Sequence, residues 1–315
     1  MTGLAALTGG AGFLGRHVAA ALAAKGWRLR MLVRRAPDLP ELAEHWIDLI
    51  PGDLSEPAML ERLCEGADLV VHMAGVVKAP HTAGFMRANA EGTGALAEAW
   101  RARSPGARFI LVSSMAARAP HLSAYAASKR AGEERLRALA GDGDFRVLRP
   151  GAIYGPHDEE SLKVLKLAAG RVQVMLNAPD ARVSLIAARD AAEAVAALAA
   201  HPGGGALHEL TDRRREGYTW AELSETGALA LGREPKAIRL PALALRALGA
   251  AGGAFSALTG RAAMLTPGKA REILAPDWGA DPALPPVPPE IWGPQVGLAQ
   301  GLAEMAAWAK ATGRL

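Results

Sequence analysis

Residues 4–15 read Leu-Ala-Ala-Leu-Thr-Gly-Gly-Ala-Gly-Phe-Leu-Gly, and residues 16–25 continue as an Ala/Leu-rich run with helical spacing. A short apolar strand ends at Thr8-Gly9, glycines recur at Gly9, Gly12 and Gly15, and a helix begins at once. Strand, tight turn and helix in that order give the glycines a physical meaning. Gly9 makes the turn, Gly12 lets backbone approach a pyrophosphate, and Gly15 lets the helix lie close to the sheet. The unpaired N–H groups and the positive end of the helix dipole then face phosphate oxygens. The stretch is read as a dinucleotide site.

Downstream, strand and helix alternate. Strands are expected at 28–33, 46–51, 68–72, 108–112 and 145–148, with helices at 57–65 (capped by Ser55), 82–103 and 123–139. This alternation predicts an α/β fold built on a doubly wound parallel sheet with helices on both faces, its ligands at the carboxyl ends of the strands. Beyond Tyr154-Gly155-Pro156 the pattern loosens. A helix at 160–169, a strand at 172–176, an alanine-rich helix at 190–199, a glycine loop at 203–205 and an extended proline-rich segment at 282–289 are expected. The last helix, 295–312, is expected to carry Val296, Leu302, Met305 and Trp308 toward a core. The division is a nucleotide-binding domain, 1–175, and a smaller substrate-covering region, 176–315.

Half of the 315 residues are apolar and 22% are charged, a globular balance. The net charge of +4 comes from scattered arginines, with no basic run of the kind that binds nucleic acid. The single cysteine, Cys64, excludes an intramolecular disulfide and a Cys-based zinc cluster, and is expected to pack on a helix. His72, His81 and His121 lack the spacing of a metal site, so no metal is expected. The N-terminus enters a strand without a charged-then-apolar leader, which predicts a cytoplasmic protein. The most apolar stretch, 240–258, is interrupted by Pro241, Arg246 and glycines; it is read as a surface-docking or substrate-covering helix pair rather than a membrane span.

The second anchor is Tyr125-Ala-Ala-Ser-Lys129. Positions four apart share a helix face, so phenol and ammonium can point into one pocket. A nearby cation is expected to lower the tyrosine pKa toward the working range of a general acid/base. Ser114 ends the preceding strand, where its hydroxyl can hydrogen-bond the substrate oxygen that the tyrosine protonates.

Taken together, TGGAGFLG (8–15), Asp53-Leu54, HMAG (72–75), NAEGT (89–93), SSM (113–115), YAASK (125–129) and RPGAIYGP (149–156) resemble the extended branch of the short-chain dehydrogenase/reductase superfamily. The closing GLAEMAAWAKATGRL is similar to the family's last helix. The resemblance implies a Rossmann fold, an NAD(P)-dependent oxidoreductase, and Ser114, Tyr125 and Lys129 as the catalytic set, with Ser113 as the less favoured serine. It implies that Thr8, Gly9, Gly12, Phe13, Leu14 and Gly15 form the cofactor loop, that Asp53 and Leu54 contact the adenine, and that Ala74, Gly75 and Pro150 line the cofactor. Asn89 would support the active-site helix, and Lys129 and Tyr125 would also touch the nicotinamide side. Asp190 resembles a family position that caps the following helix and is taken as structural; read plainly, Asp53 is a turn or cap residue and Asn89 a buried polar group needing partners. The second strand ends Leu32-Val33-Arg34-Arg35 with no acid until Asp38. A guanidinium there suits a ribose 2′-phosphate, which favours NADP(H) over NAD(H).

Two departures bear on the branch. Sugar-nucleotide enzymes of the family place an asparagine where Ala152 stands, and an arginine where Val183-Ser184 stands, with Arg182 one residue out of register and Arg189 the other candidate. The spacing from Ser114 to Tyr125 is also short, which trims the loop over the substrate. The pattern is closer to dihydroflavonol reductases and 3β-hydroxysteroid dehydrogenases. The expected activity is hydride transfer between NADP(H) and a carbonyl/alcohol substrate of low molecular weight, in a homodimer joined through the long helix and the tyrosine helix. The alternatives are a nucleotide-sugar epimerase/dehydratase and a non-catalytic NADPH-binding protein resembling the dehydrogenase-like subunit of respiratory complex I.

Overall fold

The computed structural model describes residues 3–168, 173–176, 180–233 and 237–315. Its first half runs β1 (Leu4–Thr8), α1 (Phe13–Ala24), β2 (Arg28–Val33), β3 (Ile47–Pro51), α2 (Pro57–Cys64) and β4 (Leu69–His72). α3 (Thr82–Phe85) passes through a π-helical turn, Met86–Glu91, into α4 (Gly92–Arg103); β5 (Arg108–Val112), α5 (Ala124–Ala140) and β6 (Phe145–Pro150) follow. β1 and β4 are buried at every residue, as expected of strands covered on both faces and written without polar alternation. All ladders of this sheet are parallel, with β1 between β2 and β4. Ser55 does not cap α2. Glu56 holds the N-cap position without a side-chain bond, and Ser55 instead donates its N–H and its hydroxyl to Asp53 Oδ1 (2.7 and 2.6 Å). Pro57 starts the helix because a missing N–H costs nothing there.

The second half runs β7 (Ala152–Tyr154), α6 (Glu159–Ala168), β8 (Gln173–Leu176), β9 (Arg182–Val183), β10 (Leu185–Ala187), α7 (Ala188–Leu198) and β11 (Ala206–Leu210). It ends with β12 (Tyr218–Thr219), α8 (Trp220–Ala230), β13 (Ala237–Leu240), α9 (Ala242–Thr259), α10 (Pro267–Leu274), β14 (Asp277–Trp278) and α11 (Leu298–Ala311). Ala169 and Val172, expected to end one helix and begin the next strand, lie outside the described residues. β11, which the sequence reading missed, adds in parallel to β6 and completes the order β11-β6-β5-β4-β1-β2-β3. α7 packs against α1. Residues beyond 175 therefore finish the nucleotide sheet, and the sheet does not end at the expected boundary.

Each face of the sheet carries its own core. Leu7, Val18, Leu22, Met31, Val195 and Leu198 fill one side, under α1 and α7. Leu60, Leu63, Leu96, Trp100, Phe109 and Leu136 fill the other, under α2, α4 and α5. Cys64 is buried in this second core, its thiol pushed up to about 12 by desolvation, so it is a packing group rather than a nucleophile. Met305 of α11 is buried with Leu162 and Leu165 of α6, while Leu302 and Trp308 are only partly covered and Val296 precedes the helix. Asp190 does not cap its own helix. It sits in the first turn of α7 and accepts from the Gln295 and Val296 amides (2.9 and 2.8 Å), tying the entry of α11 to the sheet. The 282–289 segment is irregular, with Val287 turned into the first core.

Candidate active site

The glycine loop has the shape its sequence demands. Gly9 has φ +74°, and a Cβ there would stand 2.6 Å from the Ala74 nitrogen, so only glycine fits between the ends of β1 and β4. A Cβ on Gly15 would fall 1.9 Å from the Gly9 carbonyl oxygen, which is what lets α1 close over the turn. α1 begins after Gly12 with no side-chain cap and no acidic residue in its first turn, leaving its N–H groups and dipole for an anion. Phe13 and Leu14 form that first turn, Phe13 edge-on to His17 (5.8 Å) and Leu14 against the core. Gly12 is exposed beside the loop. These residues fit the diphosphate of a nicotinamide dinucleotide.

Behind the loop lies a buried polar chain that sequence reading missed. Thr93 donates to the Asn89 carbonyl (2.7 Å), so its oxygen accepts from His72 Nε2 (3.0 Å), and His72 Nδ1 accepts from Thr8 Oγ1 (2.6 Å). Thr8 Oγ1 also receives the Ala74 N–H (3.4 Å). Asn89 lies in the π turn; its amide donates to Val76 O (3.0 Å) and Ser128 Oγ (2.9 Å) while accepting from Val76 N (2.8 Å). A Cβ on Gly75 would meet Asn89 Oδ1 at 2.7 Å, so a larger residue there would displace the Asn89 amide from its partners. The chain links the glycine loop to the helix that carries Tyr125. Burial keeps the His72 imidazole neutral, its pKa pushed down to about 3, with Lys129 acting in the same sense. The unfolded chain therefore binds this proton first, and the stability contributed by a neutral His72 is present above about pH 6.5 and lost progressively as pH falls below it. Urea unfolding at pH 7 and pH 5 should show a steeper acid loss in the wild type than in His72→Gln.

Arg34 is exposed at the end of β2, close enough to Asp53 for its charge to favour the carboxylate. The larger cause of the low Asp53 pKa is the pair of Ser55 hydrogen bonds that closes its turn. Leu54 packs on the α4 start, where a Cβ on Gly92 would meet its Cδ1 at 2.7 Å. Pro150 ends β6 beside Leu210 of β11, buried at the sheet's carboxyl edge.

The expected catalytic residues gather where β5 meets α5. Ser123 caps α5, accepting from the Ala126 amide (2.9 Å), and so fixes where Tyr125 and Lys129 project. Ser114 stands against the Tyr125 phenol and receives the Ala116 N–H (3.1 Å). Ser113 is turned the other way and donates to Glu133 Oε1 (2.5 Å). The expectation that Lys129 lowers the phenol pKa is corrected here. The Lys129 ammonium donates to the Val112 carbonyl (2.9 Å), and burial pushes Tyr125 above its ordinary value, opposed by Ser114 and reinforced by Glu272. Burial also brings Lys129 down to about 8, against the pull of Glu133. Glu133 in turn holds Arg149 in a buried bidentate pair (2.9 and 2.7 Å). Tyr125, Lys129 and Glu133 repeat every four residues on one helix face, a spacing that could have disclosed the third member.

The C-terminal half covers this site. Arg271 of α10 donates to the Leu122 carbonyl (2.8 Å), Glu272 binds the Ser123 hydroxyl, and a Cβ on Gly268 would meet Ser123 Cβ at 2.9 Å. Arg118 bonds the Gly279 carbonyl (2.8 Å). The short Ser114–Tyr125 connection is thus roofed by α10 and β14, while the helix pair expected within 240–258 is corrected to one continuous helix, α9. Arg182 donates to Gly217 O (3.3 Å) and Arg189 pairs with Glu304 (3.1 Å). Among the described residues no three His, Cys, Asp or Glu groups gather as a metal site.

The model of the NAD dependent epimerase/dehydratase family matches residues 5–209. A ceramide reductase of Caulobacter vibrioides is 44% identical over 99% of this chain and 96% of its own length. A 2'-dehydrokanamycin reductase of Streptomyces kanamyceticus is 30% identical over 72% of this chain and 61% of its own. The crystal structure of gox2253 has the same fold, with a TM-score of 0.78 over 100% of this chain and 99% of that one at 23% identity. With its parallel sheet, glycine cradle and reductase relatives, this chain belongs to the NAD dependent epimerase/dehydratase family, in the extended short-chain dehydrogenase/reductase group, and is an NAD(P)-dependent oxidoreductase.

Proposed function

We propose that this protein is an NADPH-dependent reductase that turns the ketone form of a ceramide-class lipid into its secondary alcohol. The observation that carries this reading is the similarity to a ceramide reductase over nearly the whole of both chains, including the C-terminal half that roofs the site. When bound, the reduced nicotinamide supplies a hydride to the carbonyl carbon. Tyr125 gives its phenolic proton to the carbonyl oxygen as negative charge builds there. Ser114, whose oxygen already receives the Ala116 N–H, keeps its own proton to donate to the same oxygen. Lys129 holds the nicotinamide ribose.

Against the sugar-nucleotide reading, Ala152 offers no polar side chain, Arg182 is held by a backbone carbonyl and Arg189 by Glu304. The NADP preference rests on Arg34, exposed at the end of β2 with no acid until Asp38. Arg34→Ala should weaken NADPH binding by about tenfold to a hundredfold, the worth of a charge-assisted phosphate contact, and leave NADH binding unchanged. Nicotinamide fluorescence titration reads both constants. Tighter NADH binding, indifferent to Arg34, would overturn the NADP assignment. The functional reading itself is tested by NADPH oxidation with a detergent-dispersed ketoceramide and, separately, by product analysis after incubation with NAD and a UDP-hexose; conversion of only the latter defeats it. We further propose a homodimer joined through α4 and α5.

A further inference from the structure

α9 has its apolar sides arranged the wrong way round for a helix of a globular protein. Its inward stripe is small: a Cβ on Gly249 would stand 3.0 Å from Ala270 Cβ, one on Gly252 1.9 Å from the Leu265 carbonyl, and one on Gly253 2.9 Å from Pro267. Apart from Leu245, which is buried, its large side chains point outward instead, with Leu243 77%, Leu248 54%, Phe255 47% and Leu258 87% exposed. Only 17% of this 18-residue helix, of mean hydropathy 1.3, is buried in the protein. A contiguous apolar face of this kind marks a surface that meets something.

Charge identifies what it meets. From residue 237 to residue 271 the sequence contains no aspartate or glutamate. Arg246 and Arg261 are exposed and carry no ion pair among the described residues. Large apolar side chains with arginines and no acids match an anionic phospholipid surface. A second copy matches less well, because a two-fold contact through this patch would bring the same unpaired arginines of both chains together. The close glycine packing on α10 holds α9 lengthwise against the protein, so it lies in the interface rather than crossing it. α10 in turn rests on Leu122 and Ser123, next to Tyr125.

We propose that α9 docks the enzyme on the surface of an anionic phospholipid bilayer and sets the mouth of the Tyr125 site against the membrane. Docking itself stands apart from the reductase reading; only the delivery of a membrane-resident ketone to Tyr125 rests on it. The test is flotation of the full-length protein with phosphatidylcholine vesicles, with and without phosphatidylglycerol. The wild type should float with the mixed vesicles, less so as salt rises. The double variant Leu248→Glu/Leu258→Glu, which changes only exposed positions, should partition at least about tenfold more weakly. It should keep NADPH binding and turnover of detergent-dispersed ketone. Arg246→Glu/Arg261→Glu should lose the preference for phosphatidylglycerol and the salt effect. Absence of wild-type flotation, equal flotation of the leucine variant, or a dimer that this variant splits without any vesicle binding would each overturn docking. Flotation without turnover of the dispersed ketone would leave docking standing and defeat the reductase reading.

Discussion

Tyr125→Phe should lower the turnover of NADPH-dependent ketone reduction by about 10² to 10⁴, the range for removing one positioned general acid. NADPH binding should be nearly unchanged. The substitution keeps the ring, its edge contact with Phe85 (6.3 Å between centroids) and the Ser123 cap, and removes the hydroxyl with its proton and its hydrogen bond to Ser114. Single-turnover oxidation of bound NADPH, followed by absorbance, separates this loss from any change in affinity. A drop in kcat/KM confined to KM would mean that the hydroxyl binds substrate without donating to it. A turnover within threefold of wild type would remove Tyr125 from the chemistry altogether.

The largest stability effect is expected at the ion pair beneath the site. Arg149→Met leaves the Glu133 carboxylate buried without its cation, and breaking a buried pair from one side costs about 3–5 kcal/mol. Urea denaturation reads this directly. Replacing both partners, Glu133→Gln with Arg149→Met, should recover a large part of the loss, because the remaining groups no longer bury a charge. The coupling also reaches the chemistry. Glu133 receives the Ser113 hydroxyl and attracts the Lys129 ammonium, so the single variant should lower turnover as well as stability.

How much of this was legible beforehand depended on whether the signal was local. β1, β2 and β5 were readable to the residue: β1 is an unbroken buried apolar run, and β2 and β5 open on arginines but close on buried apolar residues, Met31-Leu32-Val33 and Phe109 to Val112. β11 was not, because Ala-Leu-His-Glu-Leu places a histidine and a glutamate in a buried edge position where apolar residues are expected. The π turn at Met86–Glu91 leaves no mark in composition; a helix of the right length was expected there, and the extra residue that carries Asn89 inward only shows once Val76 and Ser128 surround it. The tyrosine pKa went the other way from the sequence argument for a related reason. Spacing placed Lys129 on the face of Tyr125, but nothing in the spacing says that the Val112 carbonyl takes the ammonium. The roof over the site was invisible in its motifs, since α10 reaches Ser123 from far along the chain.

The seating of α7 on α1 has a consequence for how the molecule is made. Phe13–Ala24 leaves the ribosome early, and the helix that shields it, Ala188–Leu198, arrives only after five more strands of the main sheet have been synthesised. Val18 and Leu22 wait for Val195 and Leu198 to cover them, and β6 keeps an open edge until Ala206–Leu210 appears. A nascent chain is therefore committed to a half-clad, sticky intermediate during elongation. Ribosome stalling before residue 210 should expose it to chaperone capture, and a gene split between the two halves would yield pieces that can mature only by finding one another.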